Sequence, residues 1–302
     1  MLESPASEGD DALPQARVSF FLPDPSLRGL ISTYYVVEPP VGEAAVKDLL
    51  HPEWGNIRLV LDGAWRLGER DSDRTTAPDL FGPSSRALPI SGEGGAGWGI
   101  GLLPAGWAAF IPTSAADLAD KVAPLASAMG EAAAAAIAGI RDCASHEQRA
   151  RLLDAVFLAR LPGDMEPISR VQRAHAALML PETVAVEDIS AAIGFSGRQA
   201  QRYSLRVFGF PPKLLLQRQR FLRTLAVLRQ NLDRPWADLI DERYYDQSHL
   251  VRDFHRFMGM APSAYFALPR EMLEPAAIAR VAGVGQSLQG LQPPAAGVAP
   301  AA

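Results

Sequence analysis

Between Val186 and Tyr265 the apolar positions are laid out twice in the same way. Val186, Ile189 and Ile193 recur at spacings of three and four, which predicts a short helix with one buried face. Gly194 follows where a chain leaving a helix needs positive φ, and Ser196 is placed to cap the next helix. About fifty residues later the pattern returns. Trp236, Leu239 and Ile240 give the buried face, Asp246 stands as the cap, and Leu250 and Phe254 pack inward at i and i+4. The two units also end alike, at Gly209-Phe210-Pro211-Pro212 and Gly259-Met260-Ala261-Pro262. Each reads as a helix-turn-helix, and a recurrence at this period is a repeat. Between them, Pro212 to Leu228 predicts one helix of about 25 Å at 1.5 Å per residue, with Leu215, Leu216, Phe221, Leu222, Leu225 and Leu228 apolar.

Upstream the period is shorter. Val18–Leu22, Leu27–Val37, Asn56–Asp62, Ala64–Leu67 and Trp98–Leu103 alternate or carry β-branched and aromatic residues, as strands do. Gly63 suggests a hairpin between the third and fourth of these. Residues 68–86 are charged and punctuated by Pro and Gly, so they are expected as loop, and Gly92–Gly99 as loop and hairpin punctuation. Residues 15–112 therefore form a mainly-β module. From Ala115 the period changes: Leu118, Val122, Leu125 and Met129 lie on one helical face, and an alanine-rich helix runs to Ile140. That helix is either a dimer seam or an internal packing element. A helix over about 147–161 carries Leu152, Leu153, Val156 and Phe157. Pro162-Gly163 ends it and marks a boundary between an N-terminal domain, 15–162 with helices at 115–161, and a C-terminal domain, 163–270, opening on a helix over 165–180. Residues 1–14 and the Ala/Gly/Pro/Gln-rich tail, 271–302, are expected to be mostly disordered. The class is α+β: a mainly-β domain with helices, then an all-α domain.

Composition changes this picture in two places. Net charge is −5 over 302 residues. From Pro162 to Arg270 there are 15 basic and 11 acidic residues, net +4, and the remainder holds 14 basic and 23 acidic, net −9. A basic half beside an acidic one points to nucleic acid as partner of the basic half. The one cysteine, Cys143, excludes an internal disulfide and a multi-cysteine zinc site. No run approaches the ~20 apolar residues of a membrane helix. The acidic, polar N-terminus is unlike a secretory signal, so a cytoplasmic protein without a membrane partner is expected.

The candidate chemistry is recognition. Arg198, Gln201, Arg202 and Leu205 share one side of the first unit's second helix, with Gln199 near its start. Arg and Gln at the N-terminal end of such a helix reach guanine and adenine edges in the major groove. In the second unit Gln247 and Arg252 are the candidate base-readers, Ser248 and His249 lie around the same helix, and Arg256 meets phosphate. In the β module, Tyr35, Trp54, Trp65 and Trp98 are either sheet core or the lining of a small-molecule pocket, since such pockets are apolar and aromatic. Neither a metal set nor a Ser/His/Asp arrangement is legible, so no cofactor and no enzyme activity is expected.

These residues resemble the AraC/XylS family of transcription regulators over about 165–268. The specific pieces are Ser196-Gly197-Arg198, Gln201-Arg202, Gly209 with Pro212, Gln217–Phe221, Asp246–Phe254, and Gly259 with Pro262. The resemblance implies two helix-turn-helix units on one linker helix, binding promoter DNA in successive major-groove segments. It places Arg198, Gln201, Arg202, Gln247, Ser248, His249 and Arg252 at recognition-helix positions. The first 160 residues resemble, more weakly, the cupin-like sensor module of one branch of that family. An effector, a second copy of the chain and RNA polymerase are the further partners expected. Two departures stand out. Ala200 and Ser204 occupy positions where the family has Leu and Phe, and the second unit has Arg243 or Tyr244 in place of the turn glycine. They keep open an alternative, a protein-interaction adaptor with degenerate helix-turn-helix units.

Overall fold

The alternation along Ile31–Glu38 sets the plan of the N-terminal half. The computed structural model describes residues 2–3, 16–40, 45–68, 77–232, 234, 238, 239, 244 and 246–294. Among them are strands β1 (Leu2–Glu3), β2 (Arg17–Phe21), β3 (Ile31–Glu38), β4 (Val46–Leu50), β5 (Asn56–Val60), β6 (Ala64–Leu67), β7 (Asp79–Phe81), β8 (Leu88–Glu93), β9 (Gly97–Leu102) and β10 (Val122–Pro124). They make one sheet in the order β1-β2-β3-β9-β5-β7-β10 and a second in the order β4-β8-β6. Every pairing is antiparallel. In β3, Tyr34 and Val36 enter a core, while Tyr35 and Val37 face a cavity between the sheets.

β9 divides in the same way. Trp98, Ile100 and Leu102 belong to the core, and the glycines between them keep the opposite face flat. A Cβ on Gly99 would lie 1.9 Å from Tyr35 Cζ, and one on Gly101 2.2 Å from Ser32 Oγ. Half of the glycine cluster expected as loop is thus a strand with glycine on alternate positions. Only Gly94 and Gly95, with positive φ, make a turn, and it carries the chain from β8 in one sheet to β9 in the other. Other expectations are corrected. β5 and β6 do not pair with each other: they belong to different sheets, and Gly63 turns the corner against the Gly94 carbonyl. Residues 79–81, expected as loop, pair with β5 and β10. The helical face 118–129 is broken: Val122 lies in β10, because Pro124 cannot continue a helix and the free edge of β7 offers partners.

Helices α1 (Pro104–Phe110), α2 (Leu125–Met129), α3 (Glu131–Ala138) and α4 (His146–Leu158) cover the core side of the larger sheet. The alanine-rich α3 buries Ala133, Ala134 and Ile137 within its own chain. Then come α5 (Glu166–Met179), α6 (Val186–Ile193), α7 (Gly197–Phe208), α8 (Pro212–Gln230), α9 (Gln247–Met258), α10 (Pro262–Phe266) and α11 (Leu273–Val284). The first helix of the second unit, with Trp236 and Ile240, lies outside the described residues.

The core does not stop at residue 162. One apolar cluster runs from Phe21 and Trp54 through Val171 to Ile189, Val207 and Leu215. Gly209 approaches the sheet domain so closely that a Cβ would meet Pro83 Cγ at 2.6 Å. In α8 the apolar stripe is joined by a fully buried Arg218, which donates to the Ser84 carbonyl (3.0 Å) and stacks over Trp54 at 4.0 Å.

The termini also depart from expectation. Leu2 and Glu3 pair with Phe20 and Ser19; the rest of 1–15 lies outside the described residues. The tail folds, with α11 and a 3-10 turn among its described residues. Asp48 Oδ2 accepts from Met272 N (3.0 Å) and Leu273 N (2.7 Å), capping α11 from the sheet domain. Gln289, in a 3-10 turn over Gln289–Leu291, reaches the sheet domain: its Oε1 accepts from Trp54 N at 3.1 Å and its Nε2 donates to the Gly55 carbonyl at 3.4 Å. The composition of this segment is too poor in large side chains to fold alone, and long-range partners supply what it lacks.

Candidate functional site

The first unit turns as its sequence requires. Gly194 is left-handed (φ 67, ψ 31) and closes α6. Ser196 opens α7 in extended conformation, and Gln199 reaches back to it: its Oε1 accepts from Ser196 N (2.9 Å) and Ser196 Oγ (2.8 Å). That back-reach from the third helical position satisfies the donors of the cap residue itself, half of a capping box. It also commits Gln199, a candidate base-reader, to the cap. Ala200, Ser204, Val207 and Phe208 form the buried side. Ser204 Oγ donates to the Phe210 carbonyl at 2.7 Å, so a small polar residue closes the interior where a large apolar one was the family pattern. The opposite side exposes Arg198, Gln201, Arg202 and Arg206. Arg206 was missed in the sequence, although its i+4 spacing from Arg202 marks it.

The second helix of the second unit is built by different chemistry. Asp246 accepts from His249 N at 2.7 Å and caps α9. Leu250, Phe254, Phe257 and Met258 are buried. Asp253 is buried too, 5 % exposed, and accepts from Arg220 Nη2 (2.9 Å) and Tyr244 OH (2.9 Å). Burial works against the Arg220 charge, but the bond to Asp253 more than offsets it and raises the pKa. Burial and then the Asp253 charge push the Tyr244 phenol well above its ordinary value. Tyr244, one of two candidates for the missing turn glycine, therefore has a structural use; Arg243 lies outside the described residues. His249 joins this network, Nε2 at 3.1 Å from Arg220 and its ring edge-on to Tyr244 at 5.0 Å. It is turned inward, unlike Gln247, Ser248 and Arg252, which are exposed. Arg256 is exposed and donates to Gln217 Oε1 at 2.9 Å.

Both units are tied to the sheet domain. Tyr265 OH lies 2.7 Å from His51 Nε2, and Ala87 N donates to the Phe257 carbonyl at 2.7 Å. Burial keeps the His51 ring neutral, with its pKa well below the usual value. His175 is likewise buried, edge-on to Trp54 at 5.3 Å, and burial lowers its pKa to about 3.

The aromatic residues of the β module separate. Tyr35 and Trp65 contribute to the walls of a cavity of about 140 Å³ between the sheets; Trp98 borders it from β9, but its ring lies on the core side, stacked on Phe21 at 5.6 Å. Trp54 does not line it. Its ring points the other way, between Arg218 and His175, because Trp54 lies in the turn before β5 rather than on its cavity face. The polar groups of the cavity were missed. Arg58 reaches the Glu53 carboxylate and donates through Nε to Tyr35 OH (3.0 Å), and Arg280 enters from α11. Neither arginine is distinguishable in the sequence from one that faces solvent.

Residues 189–267 match the family model of a helix-turn-helix domain. No curated protein matches the chain. Among solved structures, an apo form of ToxT from Vibrio cholerae is similar at 10 % identity, over 76 % of this chain and 99 % of that one, with a TM-score of 0.37. ToxT from the same organism with an unsaturated fatty acid bound is similar at 10 % identity, over 74 % and 95 %, with a TM-score of 0.38. Among the described residues no helix is long and apolar enough to cross a membrane.

Proposed function

We propose that this chain, which carries an AraC-type helix-turn-helix domain at its C-terminus, is a sequence-specific transcription regulator reading successive major-groove segments of promoter DNA through α7 and α9. The observation that carries this is the shared outward face. Arg198, Gln201 and Arg202 on one helix, and Gln247, Ser248 and Arg252 on the other, are exposed beyond a buried interior. Such side chains at the N-terminal end of a second helix suit base edges and phosphates. The linker α8, 19 residues, is about 28 Å long, close to the one-turn spacing that lets two units enter one face of a duplex. His249 and Gln199 drop out as primary readers, since the first is held by Arg220 and the second by Ser196.

The sheet domain serves as the regulatory half, taking a small-molecule effector in its cavity. Support comes from the cavity's apolar walls with a few convergent polar groups, the usual make-up of a ligand site. Selection of genomic DNA fragments by the purified full-length protein at near-physiological salt tests the DNA reading. Two short half-motifs about one helical turn apart are expected. Enrichment of a single half-motif would remove α9 from base reading, and salt-insensitive, sequence-blind binding would replace the regulator by an adaptor.

A further inference from the structure

We propose that the cavity between the sheets binds a compact organic anion, an apolar body with one carboxylate-like group, and that Arg280 of α11 is its anchor. This rests on the effector reading above and adds the ligand's chemistry. Arg280 is 6 % exposed. Its Nη1 donates to Thr33 Oγ1 at 3.1 Å and its Nη2 to Gln292 Oε1, both neutral acceptors, and its Nε has no partner among the described residues. Among the described residues no carboxylate lies within ion-pair distance of it. A guanidinium held out of water by neutral groups alone is poorly compensated. Burial draws its pKa down to about 10, and the fields of Glu53 and Tyr35 offset that only in part.

The other charges of the wall are already matched. Glu53 is taken by Arg58, and Arg229, at the last turn of α8, pairs with Glu274 at 2.7 Å. His51 is neutral at pH 7. The site is therefore one negative charge short, and Arg280 is where that charge is missing. The remaining walls are apolar, among them Val37, Val60, Trp65, Leu67 and Ile90. A volume of about 140 Å³ admits a body on roughly the scale of a benzene ring. A neutral molecule leaves Arg280 uncompensated, and a cation is repelled by it.

The anchor is delivered by a segment that follows the second helix-turn-helix in the chain. Asp48 pins the start of α11, and Gln289 lies over Gly101, where only the absence of a side chain makes room for it. A ligand that pairs with Arg280 strengthens the hold of the tail on the sheet domain. Through Glu274 and Arg229 it also strengthens the tie to the end of α8, which carries both recognition helices.

The test is calorimetric titration of the full-length protein with benzoate, benzyl alcohol and benzylamine, alongside the Arg280→Gln variant. Benzoate is expected to bind roughly ten- to a hundredfold tighter than benzyl alcohol, with benzylamine silent, the range of one charge-assisted bond. Arg280→Gln should remove that preference while leaving benzyl alcohol binding unchanged. It should also raise the thermal midpoint of the ligand-free protein, the opposite of what loss of a merely structural arginine does. Equal binding of benzoate and benzyl alcohol, or benzoate binding indifferent to Arg280→Gln, overturns the anion assignment but leaves the cavity a ligand site. No binding by any of the three overturns the site. Benzoate binding that leaves affinity for a selected DNA fragment unchanged sinks the effector reading alone, because the anion site is then real and uncoupled.

Discussion

The second helices of the two units, α7 and α9, share an outline and differ in what they pack against. Both close on a left-handed glycine, Gly209 and Gly259, and both expose arginine on the outer face. The first is filled by small and apolar groups, and its interior is continuous with the core of the sheet domain through Val207, Phe208 and Leu215. The second surrounds a buried carboxylate, Asp253, with Arg220, Tyr244 and, at the edge, His249. An exposed basic face is thus compatible with two kinds of interior. The first unit is seated by area, and the second is set by the geometry of charge-assisted bonds, which tolerate loss of a partner far less well.

The largest expected effect bears on that contrast. Asp253→Ala strips its carboxylate partner from Arg220 and should cost about 3–5 kcal/mol in urea unfolding. Ser204→Ala in the first unit should cost only ~1 kcal/mol. Equal costs would abolish the distinction between the two interiors.

Acid should find the first unit's seat. His175, packed between Trp54 and Phe208, has a folded pKa of about 3 against an unfolded value near 6.5. The folded state resists protonation, so its full contribution is present above pH ~6.5 and declines as pH falls from there toward about 3. At pH 5 the loss is about 2 kcal/mol. Replacing it, His175→Phe, should flatten the slope of unfolding free energy against pH by one proton in that window. An unchanged slope would mean that the ring is protonated in the fold.

The outer faces can be compared by DNA affinity. Arg202→Ala and Arg252→Ala should each cost about 1–3 kcal/mol on a cognate site if each makes a bidentate base contact. His249→Ala should act on stability before it acts on sequence preference. A loss confined to Arg202→Ala would leave α9 as a phosphate contact.

The smallest test uses the matched glycines. Gly259→Ala meets open space and should cost only the ~1 kcal/mol of a left-handed alanine. Gly209→Ala meets Pro83 as well, and should cost about 1 kcal/mol more. Thermal unfolding of the pair separates backbone strain from the seat on the sheet domain.

Much of the DNA-binding half was legible because its signals are local. The period of Ile189 and Ile193, the turn at Gly194 and the caps at Ser196 and Asp246 depend on neighbours three or four residues away. In the β module the apolar residues predict the strand over 98–103, but the glycines of 92–99 read in sequence as punctuation. A glycine that makes room for a partner strand's tyrosine looks, in sequence, like one that makes a turn.

The sequence by itself determined α6, α7 and α9, the caps at Ser196 and Asp246 and the outward placement of Arg198, Gln201, Arg202, Gln247 and Arg252, since helix geometry alone assigns those positions to a face. Only the tertiary structure decided that Trp54 supports Arg218 instead of lining a cavity, that His249 turns inward to Arg220, and that residues 271–294 fold. The stabilising partners of that tail are Asp48, Thr33 and Trp54, more than two hundred residues away in the chain. Composition registers that the tail cannot bury itself. It does not register a distant carboxylate waiting to cap it or a cavity open to receive its arginine.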